Sequence, residues 1–198
     1  MSEIMDEKYY EGRLFENIKM SEETLDGYEF YDCEFINCTL EECTLEKCHF
    51  MGCKFHGCNI ISLQAEYTQM KNGEFAKCNL VGVHWTELLP AGKIAEPIHK
   101  LTDCLLKYNT FIDMNFMKFN FSGNIIQDSA FDGCNLKESI FKGCKLEATQ
   151  FSKCDMRKAD FRDAAGYLID ISSNKMREAR FSFPEVLSLL NELGIEVS

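Results

Sequence analysis

Large hydrophobic residues recur at every fifth position along most of this chain. One series is unbroken over residues 15–60 and a second over residues 101–161, and all sixteen phenylalanines except Phe119 and Phe183 fall in these series or their continuations. A smaller residue, often Cys, stands two positions before most of the large ones, and the other three positions of the repeat are mostly polar. Each repeat therefore has two inward positions, one small and one large, and three outward positions.

A period of five fits neither an α-helix nor a flat strand. On a helix, a step of five residues turns the side chain by about 140°, which would spread the apolar residues around the cylinder. On a strand, an odd step moves the side chain to the opposite face. The apolar residues can share one direction only if the chain turns a corner between repeats. The pattern thus predicts an all-β solenoid, in which short extended segments stack around one apolar column.

The two inward positions supply the predicted structural core. The core is predicted to contain a large aromatic series and a small thiol series, which include Phe30, Phe35, Phe50, Phe55, Phe111, Phe121, Phe131, Phe141, Phe151 and Phe161, and Cys33, Cys38, Cys53 and Cys58.

All eleven cysteines occupy the small inward position. The odd count and the shared inward phase argue against a disulfide framework. A zinc site would usually bring two cysteines within a few residues of each other, with histidine partners. Here the spacings are multiples of five except across residues 86–100, and the histidines do not repeat. The cysteines are therefore predicted to fill the core as compact hydrophobic residues, and no metal or cofactor is expected.

The repeat resembles that of the pentapeptide-repeat family. The segments CDMRKADFRDA and CNLKESIFKGCKL follow the family pattern of Ala, Asp or Asn, Leu and two variable residues, with Cys or Ser often replacing Ala. The resemblance covers residues 12–181. It implies a right-handed, four-sided β-helix in which four repeats make one coil. Cys38, Cys58 and Cys78 would then stack on successive coils at about 4.8 Å, the spacing between strands.

One β-helical domain is predicted over residues 1–181, with an interruption at about residues 86–100. That segment, TELLPAGKIAEPIHK, shifts the phase of the repeat by one and includes Pro90 and Gly92. Such a composition is typical of a bulge or a loop that leaves the coil. The segment is predicted either to contact a partner, as insertions in solenoids often do, or to join two stacks.

Two smaller irregularities interrupt the repeat. Ala65 stands where a large residue is due, and Leu63 stands in the preceding small position, which predicts a locally widened coil. Near Gly166 the repeat loosens, and Ile171 is the next residue predicted to point inward.

A helix and tail are predicted over residues 182–198. Ser182 is the expected N-cap, Pro184 suits the first turn, and Gly194 ends the helix. This segment is predicted either to cover the end of its own solenoid or to pair with a second copy, as the closing helix does in many resistance-type relatives. A homodimer is the favoured expectation. The cap or dimer contact is assigned to Phe183, Val186, Leu189, Leu190, Leu193 and Ile195.

The sequence predicts a binding protein and not an enzyme. It contains no Gly-rich phosphate loop, nucleophile elbow or HExxH motif. No apolar stretch reaches about 18 residues, so no membrane span is expected. The acidic first residues do not resemble a secretory signal. A chain this rich in Cys without a signal favours the reducing cytoplasm.

The net charge of −11 is unevenly distributed. Residues 1–60 carry 14 acidic and 5 basic residues, whereas residues 101–198 carry 14 and 12. An acidic surface repels phosphates, so direct binding of nucleic acid is not expected. The residues predicted to bind a partner are, on the acidic faces and in the insertion, Glu22, Asp26, Glu29, Asp32, Glu41, Glu42, Glu46, Pro90 and Gly92.

Two functions are compatible with these features. The segments CEFINCTLEECTLEKCHF and RFSFPEVLSLLNELGIEV look most like the family members that confer resistance to quinolones or topoisomerase toxins. This resemblance implies a DNA-mimicking protein that binds DNA gyrase or topoisomerase IV. The alternative is an interaction scaffold with an unrelated protein partner. Mimicry predicts a continuous acidic strip through Asp113, Asp128, Asp132, Glu138 and Glu147, which Lys137, Lys142, Lys145 and Lys153 could interrupt.

Overall fold

The computed structural model describes residues 7–89, 96–191 and 194–195. The chain divides into two compact units, residues 1–104 and residues 105–198. In each unit the described strands pair in parallel.

The strands of the first unit are mostly three residues long, and the middle residue is buried. In chain order they are β1 (Tyr9–Glu11), β2 (Leu14–Glu16), β3 (Lys19–Ser21), β4 (Thr24–Asp26), β5 (Glu29–Tyr31), β6 (Glu34–Ile36), β7 (Thr39–Glu41), β8 (Thr44–Glu46), β9 (His49–Met51), β10 (Lys54–His56), β11 (Asn59–Ile61), β12 (Gln64–Glu66), β13 (Gln69–Lys71), β14 (Gly73–Ala76), β15 (Asn79–Val81) and β16 (Ile98–Thr102).

These strands form the four walls of a coil. From β1 to β11, each strand pairs with the strand twenty residues further along the chain, so that Phe30 aligns with Phe50 and Phe35 with Phe55. The first wall contains β1, β5, β9 and β13, the second β2, β6, β10, β14 and β16, the third β3, β7, β11 and β15, and the fourth β4, β8 and β12. The predicted four-sided β-helix, with four repeats in each coil, is confirmed.

The chain turns each corner through a residue in the left-handed backbone conformation. This residue stands two positions after the large inward one, and in the first unit its φ lies between 50° and 67°. A left-handed residue other than Gly costs roughly 1–2 kcal/mol. Its N–H is bonded to the next coil, as when Asp32 N donates to Met51 O at 2.8 Å. Stacking of the coils therefore holds the corners in a conformation that the isolated chain would avoid.

The core of the first unit is a ladder of stacked aromatic rings. The ring centroids of Phe15, Phe35, Phe55 and Phe75 follow one another at 5.0, 4.9 and 4.8 Å. This spacing matches the distance between neighbouring strands and suits offset ring stacking. The ten phenylalanines assigned to the core in both units are each at most 4% exposed.

The small inward side chains bond to the preceding coil. The thiol of Cys58 donates to Phe35 O at 3.3 Å, and the hydroxyl of Thr68 donates to Leu45 O at 2.9 Å. In each case the acceptor is the carbonyl of a large inward residue 23 positions earlier. Cys and Thr suit this position because they are compact and also carry a donor.

One β-bulge causes the change of phase near residue 100. Gly73 aligns with Ile98, 25 residues later, but Glu74 aligns with Lys100, 26 residues later. His99 is the single extra residue. The insertion before it adds five residues to the usual twenty, which is a whole repeat and leaves the phase unchanged.

The start of the insertion is ordered. Residues Trp85–Leu88 form a 3₁₀ turn, and both Trp85 and Leu88 are 1% exposed. Pro90 and Gly92 lie outside the described residues.

The coil at Ala65 is not widened. Ala65 aligns with Leu45 at the usual step of twenty residues. Leu63, in the small position, is 6% exposed and lies among the core residues beside Leu45 and Met70. The predicted widening is wrong because the large and small side chains have exchanged places, which keeps the interior filled without extra backbone.

The second unit has fewer regular strands. Its strands are β17 (Leu105–Lys107), β18 (Thr110–Ile112), β19 (Ile125–Gln127), β20 (Ala130–Asp132), β21 (Lys145–Ser152), β22 (Asp160–Phe161), β23 (Ala165–Ile169) and β24 (Arg180–Phe181). On two sides of the coil, single bridges replace strands, as between Asn115 and Asn135. There the turns are bonded within one coil: Ser139 N donates to Leu136 O at 3.1 Å.

The final coil departs from the step of twenty residues. Phe151 aligns with Ile169, only eighteen residues later, whereas Asp155 again aligns with Lys175. Ile169 is 1% exposed and takes the inward place predicted for Ile171, which is partly exposed. The prediction for Ile171 is wrong because β23 is paired two residues out of phase with the repeat.

The chain closes with a 3₁₀ turn (Glu185–Leu187) and the short helix α1 (Ser188–Asn191). Ser182 is not the N-cap: the turn starts at Pro184 without a side-chain cap, and the Ser182 hydroxyl accepts Asp163 N–H at 3.1 Å. No helix of the described residues has the length and apolar character needed to span a bilayer.

Replacing Phe131 with Ala should destabilise the second unit by about 3–5 kcal/mol. Phe131 is fully buried and stacks on Phe111 at 4.4 Å and on Phe151 at 4.9 Å. Phe183→Ala is the matched control, because Phe183 is 78% exposed, and it should change stability by less than about 0.5 kcal/mol. Urea unfolding followed by circular dichroism measures both, and equal losses would contradict the inward assignment.

Gly166→Ala should cost more stability than Gly143→Ala. Both glycines have positive φ, so either substitution introduces about 1 kcal/mol of backbone strain. A Cβ on Gly166 would also lie 2.8 Å from Glu147 Cα, whereas a Cβ on Gly143 would meet nothing within 4 Å. Thermal unfolding of the two variants distinguishes the effect of the close contact with Glu147 from the effect of backbone strain. Similar melting temperatures would contradict the close contact between Gly166 in β23 and Glu147.

Candidate partner-binding surface

A column of carboxylates runs along the fourth wall of the first unit. Asp26 aligns with Glu46 and Glu46 with Glu66, so three acidic side chains stand in register on successive coils. The parallel outward column holds only the neutral residues Thr24, Thr44 and Gln64. We call the outward side chains of β4, β8 and β12 the acidic wall.

Three further glutamates border this wall. Glu22 and Glu42 are left-handed corner residues on successive coils, and Glu41 ends the neighbouring strand β7. We call Glu22, Glu41 and Glu42 the acidic edge. All three are exposed.

The acidic wall has little internal neutralisation. Lys47 Nζ lies 3.8 Å from Asp26 Oδ1, and these side chains are 69% and 59% exposed, so the pair contributes little. Like charges directly opposite each other on neighbouring strands destabilise a sheet. The wall is therefore an unfavourable arrangement for the isolated protein and a favourable one for binding a cation-bearing surface.

The structure brings five of the predicted acidic residues together and separates two. Glu22, Asp26, Glu41, Glu42 and Glu46 form most of the acidic wall and edge. Glu29 lies instead on the first wall, where it accepts the hydroxyl of Tyr31 at 3.2 Å, and Asp32 occupies a corner beside Gly52. Pro90 and Gly92 are outside the described residues.

Sequence reasoning missed Glu66 and Tyr67. Glu66 completes the carboxylate column, and Tyr67 is an 83% exposed corner residue next to it with φ of 52°. A bulky aromatic side chain is unusual in the left-handed region. The step of twenty residues from Asp26 through Glu46 would have pointed to Glu66; no signal in the sequence singled out Tyr67.

The second unit lacks a comparable column among its described residues. Asp113 is followed on the next coil by Gly133, and the other carboxylates of the predicted strip have polar or basic neighbours. These contacts are Lys107–Asp128 at 3.6 Å, Lys153–Asp132 at 3.4 Å, Lys118–Glu138 at 3.8 Å and Gln127–Glu147 at 3.2 Å. The lysines interrupt the strip that DNA mimicry predicts for this half.

The predicted cap or dimer residues are only partly covered by their own chain. Phe183 is 78% exposed and Ile195 46% exposed, whereas Val186, Leu189 and Leu190 are partly buried. Leu193 is outside the described residues.

Glu185 fastens this closing segment to the last coil. Its Oε1 accepts the N–H of Gly166 at 2.6 Å, which ties the 3₁₀ turn to β23.

The eleven thiols are free and buried. Burial raises the pKa of Cys53 and Cys144 to about 12. Hydrogen bonding to Cys58 and burial together raise the pKa of Cys38. Protonated, buried thiols are poor nucleophiles and poor metal ligands. Among the described residues, no three His, Cys, Asp or Glu side chains are placed to hold a metal ion.

Two family models match the chain. One described as a pentapeptide repeat region covers residues 28–89, and one described as pentapeptide repeats (8 copies) covers residues 129–164. No curated protein sequence matches the chain.

Solved structures of similar proteins share little sequence with it. Full-length QnrB1, a plasmid-mediated fluoroquinolone resistance protein, is 16% identical, with a TM-score of 0.47 over 92% of this chain and 100% of QnrB1. HetL, a pentapeptide repeat protein involved in heterocyst differentiation regulation in the cyanobacterium Nostoc sp. strain PCC 7120, is 12% identical. Its TM-score is 0.32 over 88% of this chain and 87% of HetL.

The stacked four-repeat coils define a β-solenoid, and its charged columns lie on the outward-facing walls. Because two pentapeptide-repeat family models match it and its repeat is five residues long, the chain belongs to the pentapeptide-repeat family.

The free energy of unfolding should fall as the pH rises from about 9 towards about 12. An unfolded Cys ionises near its ordinary pKa, whereas Cys53 and Cys144 keep their protons in the folded state to about 12. The unfolded state then binds fewer protons, so stability drops by at most about 1.4 kcal/mol per pH unit for each thiol. Urea unfolding across this pH range should show a smaller decrease in the free energy of unfolding per pH unit for Cys53→Val/Cys144→Val than for the wild type. An equal decrease would contradict the raised pKa of these two thiols.

Proposed function

We propose that this protein is a non-catalytic binding protein that docks on a positively charged surface of a partner protein. The observation that carries the proposal is the in-register column Asp26, Glu46 and Glu66. Its carboxylates face outward, and the exposed pair between Lys47 and Asp26 neutralises the column only weakly. A partner bearing Lys or Arg would relieve their mutual repulsion, and such complementarity increases association rate and specificity.

The local density of charge supports a partner that normally grips DNA. One column places a carboxylate every coil, or about every 4.8 Å. The corner residues Glu22 and Glu42 add a second column on two of these coils, which brings the spacing to about one charge per 2.4 Å. Duplex DNA carries one charge per about 1.7 Å. DNA gyrase and topoisomerase IV, which the resemblance to resistance proteins suggests, are partners of this kind.

Within this proposal, occupation of the DNA-binding surface would modulate the topoisomerase and protect it from a drug or toxin. The protein itself supplies only charge and shape. Its eleven thiols are buried.

The second candidate is a scaffold whose partner is unrelated to topoisomerases. It is favoured by the position of the acidity, which lies on one wall and edge of the first unit. The carboxylates of the second unit alternate with Lys107, Lys118 and Lys153. A basic protein that needs only a short acidic patch would suit this arrangement.

We further propose that the closing segment mediates a homodimer. The exposed side chains of Phe183 and Ile195 support this, because large apolar side chains at the end of a chain are costly to leave in water. Val186, Leu189 and Leu190 would complete the contact.

A gyrase supercoiling assay, titrated with this protein with and without a fluoroquinolone, tests the proposed function. We expect the wild-type protein to inhibit supercoiling or to relieve the drug. The variant Glu46→Lys/Glu66→Lys should lose most of this effect, because like charges across an interface are strongly unfavourable. Glu11→Lys/Glu16→Lys is the matched control, since both residues are exposed on other walls of the same unit.

The outcomes separate the two candidates. If the effect on gyrase persists in Glu46→Lys/Glu66→Lys and is lost in the control variant, the acidic wall is not the binding surface. No effect of the folded wild-type protein on gyrase or topoisomerase IV would leave the scaffold. Capture of a basic protein that the same two substitutions release would then identify its partner.

A further inference from the structure

One wall of the second unit has an excess of positive charge. Its outward side chains come from residues 115–117, 135–137, 155–157 and 175–177, which the bridges Asn115–Asn135, Asn135–Asp155 and Asp155–Lys175 hold in register. We call this surface the basic wall. Four of its side chains are basic and one is acidic: Lys137, Arg157, Lys175, Arg177 and Asp155.

Three of the cations form a column. Lys137, Arg157 and Arg177 follow one another at steps of twenty residues, and each stands two positions after a bridged residue. Their carbonyls accept the equivalent hydrogen bonds between coils, from Lys118, Glu138 and Lys158, at 2.9, 2.9 and 3.0 Å. The column therefore repeats at the strand spacing of about 4.8 Å.

Carboxylates within the second unit neutralise this column only in part. Arg157 forms a two-pronged pair with Asp155, at 2.7 and 2.5 Å, which lowers the pKa of that carboxyl. Lys137 lies 3.8 Å from Glu138, and Arg177 lies 3.4 Å from Glu178 with 85% of its side chain exposed. The pairs of Lys137 and Arg177 are exposed and hold their charges weakly, which leaves these two cations available to a partner, whereas the two-pronged pair holds Arg157 more firmly.

We infer that the basic wall of one copy of this protein binds the acidic wall of a second copy. The three carboxylates Asp26, Glu46 and Glu66 and the column of three cations stand on successive coils at the same repeat distance. Each column spans two steps, or about 9.6 Å. Two solenoid walls can therefore align charge against charge at all three levels without adjusting the backbone of either.

Other polyanions match the basic wall less well. Carboxylates on one side of an extended peptide are about 6.8 Å apart, since alternate residues share a face. They would drift out of step with cations spaced at about 4.8 Å.

The contact is small, so the association is weak and sensitive to salt. Each wall offers three or four coils of three residues, well below the area of about 1,000 Å² expected for a stable interface. We expect sedimentation equilibrium, at up to about 1 mM protein, to show self-association at about 0.1 M NaCl. This association should be lost at about 1 M, where the Debye length falls to about 3 Å.

A charge-swap experiment distinguishes this contact from any other. Glu46→Lys/Glu66→Lys makes the acidic wall basic, and Lys137→Glu/Arg177→Glu makes the basic wall acidic. Each variant alone should lose the salt-sensitive association by at least roughly tenfold. An equimolar mixture of the two should restore it, because the intact basic wall of the first variant then faces the intact acidic wall of the second, and their two reversed walls also carry opposite charges.

Matched controls reverse charges elsewhere on the same units. Glu11→Lys/Glu16→Lys in the first unit and Lys142→Glu/Lys145→Glu in the second should associate like the wild type. Circular dichroism of every variant confirms that the exposed substitutions leave the fold intact.

Three results would overturn the inference. They are no salt-sensitive association of the wild type, association that survives either reversal, and a mixture that fails to associate. Binding of duplex DNA or an acidic peptide to the basic wall without self-association would assign that wall to another partner. A dimer held by Phe183 and its neighbours would persist through every reversal and at high salt. Because the experiment uses only this protein, its outcome is independent of any effect on gyrase.

Discussion

The structure depends on hydrogen bonds between main-chain groups about twenty residues apart in sequence. Each coil donates to and accepts from the coils on either side, and the small inward side chain adds one more bond, as when Cys58 reaches the carbonyl of Phe35. No coil can satisfy its backbone alone. The same bonds hold corner residues such as Asp32 in the left-handed conformation. Stacking of each coil on the next thus stabilises a backbone conformation that a free five-residue segment would not keep.

This constraint turns a linear repeat into columns. Residues twenty apart become neighbours at about 4.8 Å, whatever their chemistry. In the core the result is favourable, since Phe15, Phe35 and Phe55 stack as rings. On the surface it makes charge patterns strong: three acids in register repel one another, whereas Lys and Asp in register attract. The charge patterns of the walls therefore take the place that a cleft has in an enzyme in determining binding specificity.

The two units use their columns differently. In the first, Asp26, Glu46 and Glu66 accumulate charge of one sign on one wall. In the second, carboxylates and lysines alternate on some sides, while Lys137, Arg157 and Arg177 accumulate the opposite sign on another. Salt would govern both of the contacts proposed above, with a basic partner and with a second copy, because the charges are exposed.

The sequence by itself determined the solenoid and most of its inward residues, because a period of five is incompatible with one continuous helix or strand. It could also have given the carboxylate column, had the step of twenty residues been applied from Asp26 to Glu66. The tertiary structure decided what depends on register: the bulge at His99, the exchange of Leu63 and Ala65, and the shift that buries Ile169 in place of Ile171. The phase shift near residue 100 and the irregularity at Ala65 were visible in the sequence. The position of the extra residue and the way the interior is filled were not, because a one- or two-residue change in pairing has no local signature. Only the neighbouring coil shows which side chain the interior has room for.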